Sequence, residues 1–99
     1  MPAYPIANFK VLDQQKYYEY VQAGGETIVQ YGGKLLAFSA DSKVIKGNPN
    51  PVTVVVEFES MEAFQRWYDS PEYTKAKKIR QQPGVLEGCS VLVPQYEMQ

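Results

Sequence analysis

Four side chains that can donate hydrogen bonds to an anion stand close together in the second half of the chain: Tyr68, Ser70, Tyr73 and Arg80. A guanidinium offers a planar fork of N–H donors and each phenol adds one O–H, so this group could hold a small carboxylate or an enolate. The structural alternative is that Ser70 only caps a helix, that the tyrosines border the core, and that Arg80 pairs with Glu57 or Glu72. Structural networks account for many such clusters, so both interpretations stay open.

Histidine is absent from the sequence. This removes the commonest general base and the commonest ligand for zinc, copper and non-haem iron. The acidic residues show no metal-ligand spacing, so we predict no metal and no cofactor. Cys89 is the one cysteine, and nothing near it in sequence would lower its pKa. We therefore expect it to be a small buried apolar residue.

Charge and hydropathy limit the classes of partner. The net charge is −1 and the basic residues are scattered, so there is no basic patch for a nucleic-acid backbone. The longest apolar run is residues 54–56, far too short to span a bilayer. The first residues do not combine a basic segment with an apolar one, as a secretory signal would. We expect no nucleic acid, no membrane association and a cytoplasmic location.

The first half of the chain predicts a strand followed by a helix. Residues 6–11 alternate, and Asp13 is suited to cap a helix whose apolar residues recur at three- and four-residue steps up to Tyr31. Residues 24–25 are both glycine. Each costs about 1 kcal/mol relative to alanine in a helix interior, which weakens the helix there and allows a kink. The glycines at 32–33 can end the helix, because glycine adopts the left-handed conformation easily.

Two strands and a polar loop come next. Residues 34–40 alternate as a second strand, and residues 41–51, which end in the turn-forming sequence GNPNP, form the polar loop. Residues 52–59 give the clearest strand of the chain. Its even-numbered residues are apolar and face one side, whereas the odd-numbered residues face the other.

A broken helix and a final strand complete the pattern. Ser60 is suited to cap the first helical piece. Ser70 with Pro71 marks a second start, because proline at the first helical position loses no hydrogen bond. The second piece extends to about Arg80, and residues 85–93 form the last strand.

The element order β-α-β-β-α-β predicts a ferredoxin-like α+β fold, with a four-stranded antiparallel sheet and two helices on one of its faces. We expect one domain over residues 1–99. The other face of the sheet would be partly apolar, because Val55 faces outward on the third strand. The second and fourth strands add apolar residues in both phases, namely Leu35, Leu36, Ala37, Phe38, Val91, Leu92 and Val93. A large apolar sheet face is rarely left in water, so we expect a second copy to cover it and the protein to be a homodimer.

Several segments carry a family resemblance: residues 31–34 (YGGK), 56–63 (VEFESMEA), 67–73 (WYDSPEY) and Arg80. Together they resemble the DUF1330 family, a widespread bacterial family of small proteins of uncharacterised function. The resemblance covers nearly the whole chain, and the WYDSPEY string is its most specific part. It implies the dimeric α/β-barrel superfamily, in which two sheets face each other.

The resemblance implies no single activity. The wider superfamily includes cofactor-independent monooxygenases, haem-degrading enzymes, muconolactone isomerases and stress-response proteins. Asn8 and Trp67 resemble the polar and tryptophan pair of the haem-degrading and quinone-oxidising relatives. Haem ligation in those relatives depends on histidine, which this chain lacks, so a core tryptophan and a strand asparagine are the favoured explanation. This sequence also departs from the family pattern, with Lys34 in place of an arginine and no glycine in the turn at 38–41.

The leading functional hypothesis is a small-molecule-binding dimer with a pocket between helices and sheet, whose ligand is acidic or aromatic. One alternative is a cofactor-independent monooxygenase or isomerase acting on an enolisable aromatic or a lactone. The other is a purely structural or stress-associated dimer. The candidate ligand-binding residues are Asn8, Tyr31, Glu57, Trp67, Tyr68, Ser70, Tyr73 and Arg80.

Overall fold

The computed structural model describes residues 1–97, so the predicted domain of 1–99 extends two residues beyond the described part. The strands are β1 (Ala3–Val11), β2 (Lys34–Ser39), β3 (Val52–Glu57) and β4 (Leu86–Pro94). The helices are α1 (Gln14–Gln30), α2 (Met61–Tyr68) and α3 (Pro71–Arg80). They follow one another in the order β1-α1-β2-β3-α2-α3-β4.

The four strands form one antiparallel sheet in the order β2-β3-β1-β4. This is the ferredoxin-like arrangement that the sequence predicts. Val56 and Phe58 on β3 and just after it are buried in the helix-covered core. Because successive side chains of a strand alternate between faces, Thr53, Val55 and Glu57 belong to the opposite, open face of the sheet.

Strand β2 contains an irregularity that alternation alone does not reveal. Leu35 pairs with Val56 and Ala37 pairs with Val55, so Leu36 is an extra residue in the ladder. Such a bulge re-aims the side chains that follow it. Phe38 consequently pairs with Val54 and points to the helix side of the sheet, where an unbroken alternation would have turned it to the open face.

Helix α1 continues without interruption through Gly24 and Gly25. The side chain of Asp13 accepts a hydrogen bond from the Lys16 N–H at 3.0 Å, which confirms the predicted cap. Gly24 lies where α1 crosses α3: a Cβ there would be 3.0 Å from the Ala76 Cβ. The glycine therefore costs helix propensity but lets two helices approach closely.

The second helical region is broken as predicted. Ser60 accepts from the Ala63 N–H at 3.0 Å and caps α2. Ser70 accepts from the Tyr73 N–H at 3.1 Å and caps α3, with Pro71 at the first helical position. Two capped segments thus replace one long helix, and the turn between them brings Tyr68 and Tyr73 close together.

The core lies between the sheet and the helices and is largely aromatic. Phe58 is completely buried, and the rings of Trp67 and Tyr73 pack against each other at a tilt of 30°, with their centroids 3.9 Å apart. The Trp67 indole N–H donates to the Thr27 hydroxyl at 2.9 Å, and that hydroxyl donates to the Gly24 carbonyl at 2.6 Å. Among residues 1–97, every buried side-chain nitrogen and oxygen has a hydrogen-bond partner, as is usual in native cores.

The open face carries a row of apolar side chains across three strands. Val55, Ile6 and Val91 are register partners, and Val91 is 56% exposed. Cys89 pairs with Asn8 in the same sheet and is exposed, so the expectation that it is buried was wrong. Among residues 1–97, no helix is long and apolar enough to cross a membrane.

Candidate functional site

Arg80 is the last residue of α3 and is half-buried. Its Nε donates to the Tyr73 hydroxyl at 3.2 Å, and its Nη2 donates to the Tyr68 hydroxyl at 3.3 Å. Within residues 1–97, no carboxylate lies within 4.0 Å of its guanidinium. The predicted group of Tyr68, Tyr73 and Arg80 is therefore assembled, but the alternative in which Arg80 pairs with Glu57 or Glu72 is wrong.

The two glutamates are held elsewhere. Glu57 is on the open face of the sheet, paired in register with Lys34, so the sheet separates it from Arg80. Glu72 accepts a hydrogen bond from the Tyr31 hydroxyl at 2.6 Å. This bond lowers the pKa of Glu72 and raises the pKa of Tyr31. The predicted site residue Tyr31 thus joins the end of α1 to the start of α3.

Tyr20 on α1 is a member of the site that the sequence did not reveal. Its hydroxyl lies 2.8 Å from the Tyr73 hydroxyl. Burial, and next to it the proximity of Tyr73, raise the pKa of Tyr20 far above its ordinary value, so its phenol is neutral. The sequence feature that could have identified Tyr20 is its position on the inward face of α1. A tyrosine buried there needs a hydrogen-bond partner for its hydroxyl.

The Tyr–Arg cluster, defined as Tyr20, Tyr68, Tyr73 and Arg80, contains more donors than acceptors. A guanidinium has five N–H donors and no acceptor, and each phenol has one O–H. The bonds within the cluster use two N–H groups and one O–H. In the part of the chain that the structure describes, the remaining donors of the cluster have no protein acceptor. Such a surplus suits an acceptor-only group such as a carboxylate.

The cluster is also electropositive. Burial acts to lower the pKa of Arg80, whereas the phenols, Tyr73 foremost, act to raise it, and the net pKa lies above its ordinary value. Lys77 adds a second cation, with its Nζ 3.8 Å from the centre of the Tyr68 ring and donating to the Tyr68 carbonyl at 2.9 Å. Both charges come from the last turn of α3, where cations also interact favourably with the helix dipole.

Asn8, another predicted site residue, lies away from the cluster and forms hydrogen bonds with other parts of the fold. Its Nδ2 lies 2.9, 3.2 and 3.0 Å from the Asn50 carbonyl, the Val52 carbonyl and the Thr53 hydroxyl. Its Oδ1 accepts from the Asn50 N–H at 2.8 Å. The side chain therefore fastens the end of the 41–51 loop to β1. It belongs to the open face, so the sheet separates it from Trp67.

Trp67 and Ser70 underlie the cluster without joining it. Trp67 is buried and its one polar atom is bonded to Thr27. Ser70 donates to the Trp67 carbonyl at 2.7 Å in addition to capping α3. Both side chains have complete hydrogen bonding inside the protein, so their role is to position the Tyr68 and Tyr73 rings.

A cleft of about 270 Å³ opens on the helix side of the sheet, near the start of α1. Its lining residues are Lys10, Val11, Gln14, Tyr17, Phe38, Ala40, Pro51 and Val52. A second depression, of about 440 Å³, lies on the outer face of α2 and is lined by four exposed polar side chains. Of these two sites, the cleft near α1 has aromatic walls, which is the kind of lining that the sequence predicts for a ligand pocket.

Comparison with known proteins places the chain in a family. The model of DUF1330, a domain of unknown function, matches residues 2–94. No curated protein matches the chain in sequence.

Three solved structures resemble the fold closely. The methylated RPA0582 protein has a TM-score of 0.81 at 17% identity, covering 97% of this chain and 82% of that one; RPA0582 is a Rhodopseudomonas palustris protein of unknown function. A dimeric ferredoxin-like protein of unknown function from Thermobifida fusca has a TM-score of 0.68 at 20% identity, covering 96% and 92%. SnoaB, a cofactor-independent oxygenase from Streptomyces nogalater, has a TM-score of 0.68 at 10% identity, covering 98% and 95%.

Proposed function

The chain belongs to the DUF1330 family, and on the geometry described above we propose that it is a small-molecule-binding protein whose ligand places an acidic group at the Tyr–Arg cluster. The observation that carries the proposal is Arg80. It is a half-buried cation whose hydrogen-bond partners in the described chain are phenols. Neutral phenols are weaker partners for a guanidinium than a carboxylate is, because a carboxylate forms charge-assisted, bidentate hydrogen bonds with it. A bound anion would supply that stronger partner.

The phenols support an oxygen anion in particular. Tyr68 accepts from Arg80, so its own O–H is free to donate to a ligand. Of the Tyr20 and Tyr73 hydroxyls, one donates to the other, which leaves a further O–H available. Because Tyr20 is neutral, these groups donate hydrogen bonds without opposing the charge of the ligand. Charge-assisted bonds from Arg80 and neutral O–H donors together match a carboxylate or an enolate.

The proposed functional unit is a homodimer closed over the open sheet face. The apolar row of Val55, Ile6 and Val91 crosses three strands, and Val93 beside it is 41% exposed. The similar protein from Thermobifida fusca is described as dimeric. Val91→Glu should convert the dimer to a monomer of 11.2 kDa in size-exclusion light scattering, whereas Val29→Glu, on the exposed surface of α1, should leave the dimer unchanged. A monomeric wild-type protein at micromolar concentration contradicts this part of the proposal.

A second candidate function is a cofactor-independent oxygenase or isomerase that acts on an enolisable aromatic or a lactone. The observation in its favour is that a cation with neutral phenol donors can stabilise the oxyanion of an enolate. The fold is also that of SnoaB, which is described as a cofactor-independent oxygenase. Turnover of a quinol or a lactone by the purified protein separates this candidate from binding alone.

A thermal-shift series of small carboxylates, each beside its neutral amide, tests the proposed function. The acids should raise the melting temperature of the wild-type protein, and the amides should not. Arg80→Gln should remove the response. The matched control is Arg66→Gln, because Arg66 is an exposed arginine of α2 and should respond as the wild type does. Equal responses of the wild type and Arg80→Gln would contradict the proposal.

A further inference from the structure

We infer that the cleft lined by Tyr17 and Phe38 receives the flat apolar body of the ligand, that the ligand is an aromatic acid, and that Phe38 determines how many fused rings it accepts. This inference rests on the proposed function, because it places the acidic group of the ligand at Arg80. It adds the chemical class of the ligand, a second subsite and a specificity-determining residue.

The first argument is the position of Phe38. The bulge between Leu35 and Ala37 turns Phe38 to the helix side of the sheet, opposite Val54. A large apolar residue on that side is normally covered by a helix, yet Phe38 is 48% exposed. The exposed part of the ring forms a wall of the cleft. The backbone irregularity therefore creates an aromatic surface that the core itself does not use, and bulges are found next to active sites for this reason.

The second argument is the wall that the cleft shares with the cluster. Tyr17 lines the cleft and stacks on Tyr20, with 6.4 Å between the ring centres and 30° between the ring planes. The Tyr20 hydroxyl is hydrogen-bonded to the Tyr73 hydroxyl, which accepts a hydrogen bond from Arg80. Tyr17 and Tyr20 are neighbours on one face of α1. A chain of aromatic contacts thus links the wall of the cleft to the cation.

The third argument is the size and chemistry of the cleft. Its volume of about 270 Å³ is slightly below the range for small-molecule sites, about 300–1,000 Å³. Aromatic and aliphatic side chains, among them Phe38, Tyr17 and Val52, form most of its surface. Tyr17 is partly buried, and this burial raises its pKa. A rigid ring system stacks on such walls with little loss of entropy.

The experiment is a titration calorimetry series with benzoate, naphthoate and anthracene carboxylate as probes. For the wild-type protein, affinity should rise about tenfold with each added ring, as the buried apolar area predicts. In Phe38→Ala the affinity for benzoate should stay within about twofold of wild type, and the gain from the added rings should disappear. The control is Leu35→Ala, because Leu35 is also an exposed apolar residue of β2 and does not line the cleft.

The outcomes separate this inference from the proposed function. If Phe38→Ala keeps the full gain from added rings, or if Leu35→Ala loses it equally, the cleft subsite is wrong. If the acids then still depend on Arg80, the proposed function stands without it. If Phe38→Ala loses the gain but Arg80→Gln binds all three acids as the wild type does, the acid group is not at Arg80 and the proposed function is wrong. If none of the three acids binds wild type at millimolar concentration, the inferred ligand class is wrong.

Discussion

The molecule contains two polar clusters that include predicted site residues, and these clusters differ in their balance of hydrogen-bond donors and acceptors. Around Asn8, donors and acceptors match. The Asn8 amide forms hydrogen bonds with backbone groups of the 41–51 loop and with the Thr53 hydroxyl. The Thr53 hydroxyl in turn lies 2.6 Å from the Ser42 hydroxyl. Around Arg80, a cation and three phenols face one another with donors left over. The balanced cluster contains no charge, whereas the unbalanced one contains a half-buried cation.

This difference separates a structural role from a binding role. A protein that uses polar side chains to hold its own backbone satisfies them internally, because an unpaired buried polar group costs about 1–3 kcal/mol. A protein that uses them to hold a ligand leaves part of their capacity open. On this criterion we assign Asn8 a structural role and propose that the Tyr–Arg cluster is a binding site, although the sequence made candidates of residues in both clusters.

The largest expected effect is on the balanced cluster. Asn8→Ala removes the amide that bonds Asn50, Val52 and Thr53, and it leaves backbone groups of the loop without partners. The free energy of unfolding should fall by about 2–4 kcal/mol, measured by urea denaturation. Asn48→Ala, at an exposed position of the same loop, is the control and should change it by less than about 0.5 kcal/mol. Similar losses in both variants would contradict the anchoring role of Asn8.

A smaller effect is expected inside the Tyr–Arg cluster. Tyr20→Phe removes the bond to the Tyr73 hydroxyl but leaves Tyr73 with its bond from Arg80. The free energy of unfolding should therefore fall by about 0.5–1.5 kcal/mol, the value of one ordinary hydrogen bond. Urea denaturation in the absence of ligand measures it. A loss above about 3 kcal/mol would indicate a tightly interdependent network, and the cluster would then resemble the structural one.

Arg80 itself should contribute little to folding. A half-buried cation without a carboxylate partner loses hydration and gains two long bonds to phenols, so the two effects nearly cancel. Arg80→Gln should change the free energy of unfolding of the ligand-free protein by less than about 1 kcal/mol. A marked loss of stability, equal to that of Asn8→Ala, would assign Arg80 to the structural class.

The smallest expected effect is a pH dependence at Tyr31 and Glu72. The pKa of Glu72 is below its ordinary 4.5 in the folded protein, so its contribution to stability is present above that pH and is lost as the pH falls through the lowered value. Tyr31→Phe removes the donor. The stability of the variant should therefore fall less steeply than that of wild type below pH 4.5, in thermal unfolding followed by circular dichroism. Because both groups are exposed, the difference will be small; identical slopes would show that the bond has no energetic role.

Local sequence signals predicted the fold because each strong signal acts within a few residues. Ser70 and Pro71 fixed the break between two helices, and the alternation of 52–58 fixed the faces of β3. The effect of Gly24 was less predictable, because the glycine that weakens α1 also allows its approach to Ala76 on α3. That benefit depends on a contact between residues far apart in the chain.

The candidate site was predicted only in part for the same reason. Tyr68, Tyr73 and Arg80 are close in sequence and were grouped correctly. Tyr20 comes from another helix. The spacing of the apolar residues of α1 shows that the Tyr20 side chain faces the core, but it does not identify the partner of its hydroxyl. The position of Phe38 depends on the bulge in β2, which shifts the register by one residue and has no clear signal in the residues 34–39.

The most direct test of the account is a calorimetric titration of naphthoate and of its neutral amide into the wild-type protein and Arg80→Gln. We expect naphthoate to bind wild type and to lose about ten- to hundredfold in affinity in Arg80→Gln, the range for hydrogen bonds to a charged group. The amide should bind both proteins weakly and to the same extent. If naphthoate binds the two proteins equally, or binds wild type no better than the amide does, the cluster around Arg80 is not an anion site.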